Sequence, residues 1–146
     1  MTVKMVKMKW GPVGSLGAMV TPEHVEQVVK TYCLAESAKD RDTWLSLFAP
    51  DAVHEDPVGA PVNRGVEAIG AFFDVGAGQM DLDLHATAAP IVVGDEALVF
   101  LEVHVGHGSE RLVLAPIVDH MVFDGEGRIA SLRAFFDPAG IAPDPE

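Results

Sequence analysis

The hydrophobic period of this chain changes at Met80, and that switch restricts the fold more than any other feature. Before it, apolar residues recur at helical spacing. Val25, Val28, Val29, Tyr32 and Cys33 form one stripe; Ile69, Phe72 and Phe73 form another. From Met80 onward the period is two: Met80, Leu82, Leu84 and Ala86 alternate with Asp81, Asp83 and His85, as in a strand with one buried face. Helices followed by a run of strands imply α+β segregation and exclude alternating βαβ units.

Punctuation residues place the elements. Thr21-Pro22-Glu23 is a helix start, with a hydroxyl to cap free N–H groups and proline in the first turn. A second helix is predicted over 41–48 with Asp40 as its cap, and a third over 66–73, with a short strand over 51–55 between them. Strands are predicted over 80–86, 88–93, 96–105, 111–123 and 128–136, separated by Gly-Asp and Gly-rich turns. Pro116 within a strand calls for an edge or a bulge. The expected architecture is three N-terminal helices packed on a curved antiparallel sheet, a cone with an apolar pocket suited to a hydrophobic ligand.

With 146 residues the chain is one domain, and its 49% hydrophobic content suffices for a sizeable core. Ten Lys plus Arg stand against 22 Asp plus Glu, a net charge of −12, which argues against nucleic acid and anionic membrane surfaces as partners. The single cysteine, Cys33, excludes an internal disulfide framework and fits a reducing, cytoplasmic location. Residues 1–20 read as a flexible extension: Lys4, Lys7 and Lys9 precede a stretch broken by Gly11, Pro12, Gly14 and Gly17, so it lacks the apolar centre of a secretion signal. Met19 is an alternative start. The domain is expected over 21–137, and the Pro/Ala/Asp-rich tail over 138–146 is expected to be loose.

Three polar residues sit in apolar company. Tyr32, the only tyrosine, lies on the first helix's buried stripe, either as a core residue or as a hydrogen-bond donor. Asp56 precedes Pro57 at a strand end, either capping a turn or acting as a base. Asp119 interrupts a segment otherwise built for burial, sharing a face with Ile117, Met121 and Phe123. Such a carboxyl either pairs with a cation, for which Arg133 is the candidate, or keeps its proton. Strand alternation is expected to send His54 and His120 to faces opposite the aspartates. No metal site is expected: His104 and His107 lack a third ligand at recognisable spacing.

Several blocks in this order resemble the bacterial ketosteroid isomerases (steroid Δ5-isomerases) of the SnoaL-like, NTF2-like superfamily. They are Thr21-Pro22-Glu23-His24 leading to Tyr32; Asp51-Ala52-Val53-His54-Glu55-Asp56-Pro57-Val58-Gly59; Ala68-Ile69 with Phe72; Ala115-Pro116-Ile117 with Asp119-His120; and Ser131-Leu132-Arg133-Ala134. The resemblance runs from about Thr21 to Phe136. It implies the NTF2-like cone, a homodimer, and isomerisation of a β,γ-unsaturated 3-ketosteroid without a cofactor. It also implies that Asp56 is the general base, with Tyr32 and a protonated Asp119 binding the enolate oxygen. Pocket walls are expected from Val58, Phe72, Phe73, Met80, Met121, Leu132 and Phe136. Two departures stand out. Val118 is inserted where the family pattern reads Ala-Pro-Ile-Asp-His, and Phe73 replaces a tyrosine that supports the catalytic one. Polyketide cyclase or epoxide hydrolase activity, or non-catalytic binding of a hydrophobic ligand, are the alternatives on the same fold.

Overall fold

The computed structural model describes residues 20–145; the expected N-terminal extension and alternative start lie outside them, apart from Val20. Helix α1 (Pro22–Ser37) begins as the sequence implies, the Thr21 hydroxyl accepting from the His24 N–H at 3.1 Å. It buries Val25, Val28, Val29, Tyr32, Cys33 and Ala35, the expected stripe extended by one residue. Helix α2 (Arg41–Ser46) is capped by Asp40 and buries Trp44. It stops two residues short of expectation because the chain turns at Leu47 into β1 (Phe48–Glu55), whose first residue pairs with Ile129. A short β2 (Asn63–Arg64) leads into α3 (Gly65–Val75), which buries Ile69, Gly70 and Phe73.

The remaining strands are β3 (Asp81–Ala86), β4 (Ile91–Val93), β5 (Glu96–His107), β6 (Glu110–Phe123), β7 (Ile129–Phe135) and β8 (Ala142–Pro143). They form one sheet in the order β2-β1-β7-β6-β5-β3, with β4 beside β5 and β8 beside β6. The sheet is mixed, where an antiparallel one was expected: β1 runs parallel to β7. The meander β5-β6-β7 is antiparallel as read, but β1 precedes α3 in sequence and joins the sheet from the other end of the chain. Hydrophobic alternation cannot reveal that direction, since it is the same for both pairings.

The tail also departs from expectation. Residues 142–143 pair with Val113 and Leu112, and the Asp144 N–H donates to the Arg111 carbonyl at 2.9 Å. The chain is therefore docked as far as Asp144, because Pro138 starts a short 3₁₀ turn that brings it back along β6.

A bulge in β6 orients one strand face toward the helices. Leu101 pairs with Ile117 and Val103 with Leu114, so Ala115 and Pro116 together oppose Glu102. Before the bulge Leu112 and Leu114 face the interior; after it, Ile117, Asp119, Met121 and Phe123 do. The extra residue is absorbed and the Asp119 carboxyl points inward.

Candidate active site

The concave side of the sheet and α1, α3 and the C-terminal turn enclose a cavity of about 450 Å³. That is within the usual range for small-molecule sites. Its lining is mainly aliphatic, from Leu82, Leu101, Val103 and Leu114 among others, and it contains Tyr32, Glu36, Asp56 and Asp119. A larger groove of about 580 Å³ between α1 and the β3–β4 side contains none of these four.

Asp119 is 2% exposed and its Oδ1 has no hydrogen-bond partner. Arg133 does not pair with it. That guanidinium faces the other side of β7 and donates to Glu55 at 2.9 Å. Burial therefore pushes the Asp119 carboxyl well above the ordinary range, and the negative charges of Asp56 and Glu36 push it further. Tyr32, 3% exposed, is likewise raised, first by burial and then by Glu36, Asp119 and Asp56, so its phenol stays protonated.

Asp56 follows the last residue of β1, and its side chain is 23% exposed. Burial alone raises its pKa to about 6. The same residue type thus meets two environments in one cavity, one that raises the carboxyl to about 6 and one that raises it well above the ordinary range.

His54 corrects the alternation argument. It lies two residues before Asp56, on the same face, fully buried with Nε2 4.0 Å from Asp56 Oδ2. Packing against Phe72 (4.7 Å between ring centroids), Phe48 and Trp44 lowers its pKa to about 4, so it is neutral. The Asn63 amide donates to Nδ1 at 3.3 Å, which puts the ring hydrogen on Nε2, toward Asp56. His120 does lie on the outer face, 2.7 Å from Glu96.

Of the expected pocket walls, Phe72, Met80 and Phe136 line the cavity. Phe73, Met121 and Leu132 are at most 2% exposed and belong to the packed core, outside the cavity lining. Val58 is 36% exposed, outside the lining, and its N–H donates to the Ala134 carbonyl at 2.8 Å. Phe73 packs on Trp44 at 4.9 Å, and Trp44 on Tyr32 at 5.7 Å. Aromatic packing from Trp44 and Phe73 thus stands behind Tyr32.

Glu36 was missed by the sequence reading. It follows Tyr32 by four residues on α1, so both project from one helix face into the cavity. Burial, and then Asp56, raise its pKa to about 8, against the opposing pull of the Trp44 indole N–H and the Tyr32 hydroxyl. The indole N–H itself makes no hydrogen bond of normal geometry. The i, i+4 spacing from Tyr32 was the available signal, but Glu36 lies outside the apolar stripe and reads as a surface acid.

The SnoaL-like domain family matches residues 29–132, and the chain belongs to that family. It is also 38% identical over 122 residues to the steroid Delta-isomerase of Nocardioides simplex, covering 83% of this chain and 96% of that protein; the chain is an isomerase of this group. The fold has a counterpart in the crystal structure of RV0760c from Mycobacterium tuberculosis, with a TM-score of 0.75 at 24% identity over 86% of this chain and 99% of that one.

Proposed function

We propose that the chain isomerises β,γ-unsaturated 3-ketosteroids to their conjugated Δ4 isomers by moving one proton within the substrate. Asp56 removes a proton from the carbon between ketone and double bond, then returns it two carbons along. The C=C bond shifts into conjugation, and atoms and charge balance without a cofactor. The intermediate dienolate carries its charge on the ketone oxygen, where Tyr32 and neutral Asp119 donate hydrogen bonds. Such donors contribute about 2.7–4 kcal/mol each to lowering a barrier, and positioned proton transfer contributes roughly 10²–10⁴ in rate.

The observation that carries this reading is the contrast within one apolar cavity: Asp56 with a pKa of about 6, beside an Asp119 held well above its ordinary range. A passive binding pocket gains nothing from an unpaired buried acid. The test is absorbance: 5-androstene-3,17-dione is expected to give the ultraviolet band of the conjugated enone with wild type and none with Asp56→Asn. Normal turnover in that variant excludes the mechanism. Bound but unchanged steroid with wild type points to a binding module.

A homodimer in the cytoplasm belongs to the same reading. Exposed Ile91, Val93 and Leu98 on β4 and β5 form an apolar patch that a second copy covers. Light scattering at micromolar protein is expected to return twice the chain mass. Among the described residues, no helix is long and apolar enough to cross a membrane.

A further inference from the structure

The convex side of the sheet carries a second constellation. In the β3–β5 ladder Asp83 lies opposite His104, and His85 opposite Glu102. Alternation sends Leu82, Leu84, Leu101 and Val103 to the cavity, so these four polar side chains share the other face. Both imidazoles converge on one oxygen: Glu102 Oε1 is 2.7 Å from His85 Nε2 and 3.1 Å from His104 Nε2. The two rings stack, 5.2 Å between centroids and 22° between planes.

The opposite edge of each ring is backed by a carboxylate. His104 Nδ1 lies 2.6 Å from Asp144 Oδ2, delivered by the docked C-terminal segment, and His85 Nδ1 lies 3.7 Å from Asp83 Oδ1. A carboxylate only accepts, so in the metal-free chain His104 donates through both Nδ1 and Nε2, and a metal bound at Nε2 would take the place of the proton shared with Glu102 while Nδ1 keeps its bond to Asp144. Nε2 atoms converging on one carboxylate resemble a His–His–carboxylate metal centre, with the outer-shell hydrogen bond in place at His104 and a carboxylate within reach of His85. The three candidate ligand atoms all lie within 4.8 Å of one another. Atoms bound tetrahedrally to zinc at about 2.0–2.2 Å are roughly 3.3–3.6 Å apart, so small side-chain rotations suffice. The surrounding groove holds Asp83, Glu102 and Asp144, with Arg111 at its edge.

We propose that His85, Glu102 and His104 bind one divalent transition-metal ion of the zinc class, with Asp144 and Asp83 orienting the two imidazoles. The fourth position is left to water. This site is separate from the cavity and independent of the reaction assigned to it. The sequence reading missed it because it sought ligands along the chain near His104 and His107, whereas the third ligand arrives across the ladder from β3.

The test uses chelator-treated, tag-free full chain titrated with zinc chloride by calorimetry at pH 7.5, and with cobalt chloride by visible absorption. One equivalent per chain is expected, with the ligand-field bands of four- or five-coordinate cobalt. H85A, H104A and E102Q are each expected to weaken zinc binding at least tenfold. D144N is expected to lose about 10–100-fold, as outer-shell carboxylates do. H120A, which breaks the outer-face His120–Glu96 pair, is the control and is expected to bind as wild type. Absence of saturable uptake overturns the proposal, and so does uptake that survives in the H85A/H104A double variant. If H104A releases the tail and fails to fold, H85A, with a 43% exposed side chain, gives the decisive measurement.

Discussion

Replacing Glu36 by glutamine is expected to stabilise the protein, by an amount that depends on pH. In the unfolded chain this carboxyl titrates at the ordinary 4.5; in the fold it titrates at about 8. Between those values folding must take up a proton, so its contribution is complete below pH 4.5 and declines as pH rises toward 8. At pH 7 the interval is 7 − 4.5, or 2.5 units, from the shift just cited. At 1.36 kcal/mol per unit that is roughly 3 kcal/mol of uptake cost, and partial access to solvent reduces it to about 2–3 kcal/mol. Glutamine carries no proton to lose and matches the carboxyl in size. Urea unfolding followed by far-ultraviolet circular dichroism is the assay. E36Q is expected to match wild type within about 0.5 kcal/mol at pH 4.5 and to exceed it by about 2–3 kcal/mol at pH 7. In thermal melts that is roughly 5–10 °C. A difference that stays constant between the two pH values would falsify the claim that the fold holds Glu36 uncharged at pH 7.

The other expectations concern the cavity. Because Asp56 acts as an ionised base with a pKa of about 6, kcat/KM is expected to rise with pH through a midpoint near 6; a midpoint near 4 would contradict the burial argument. Asp119→Asn keeps a donor and is expected to lose less activity than Asp119→Ala, for which kcat should fall about 10²–10³-fold; equal kcat values in wild type and D119A would return Asp119 to a structural role. His54→Leu removes the N–H directed at Asp56 and is expected to move the acid limb of the pH profile to higher pH, while an unmoved limb would make His54 simple packing. Arg133→Ala breaks an exposed pair with Glu55 and is expected to change stability by less than about 1 kcal/mol without affecting turnover. A large loss of turnover would mean that Arg133 serves the cavity after all.

Much of this molecule is legible in one sequence because its signals are local. Thr21-Pro22, the α1 stripe and the period change at Met80 each report on neighbours a few residues away, and the structure matches them closely. Pairing direction is another matter: β1 lies beside β7, and nothing in Phe48–Glu55 says whether it runs with or against that strand. The same limit hid Glu36 and the histidine pair, whereas His54, two residues from Asp56, was open to the local alternation rule and was assigned to the wrong face. Asp119 was recognisable as an intruder in an apolar run, whereas Glu36 looked like any surface acid, its burial depending on Trp44 and on residues far along the chain. Phe73, Met121 and Leu132 are apolar on the expected periods, but periodicity separates inside from outside and not cavity wall from solid core.

The bulge at Ala115-Pro116 makes spacing along β6 a local property. The halves on either side keep their own alternation, so one residue gained or lost at that joint leaves the far end aimed as before. Searches for distant relatives that demand a fixed interval between the Ala-Pro-Ile block and its acid will discard proteins whose acid occupies the same point in space. Comparison by ladder partner, here Val99 across from Asp119, survives such length drift.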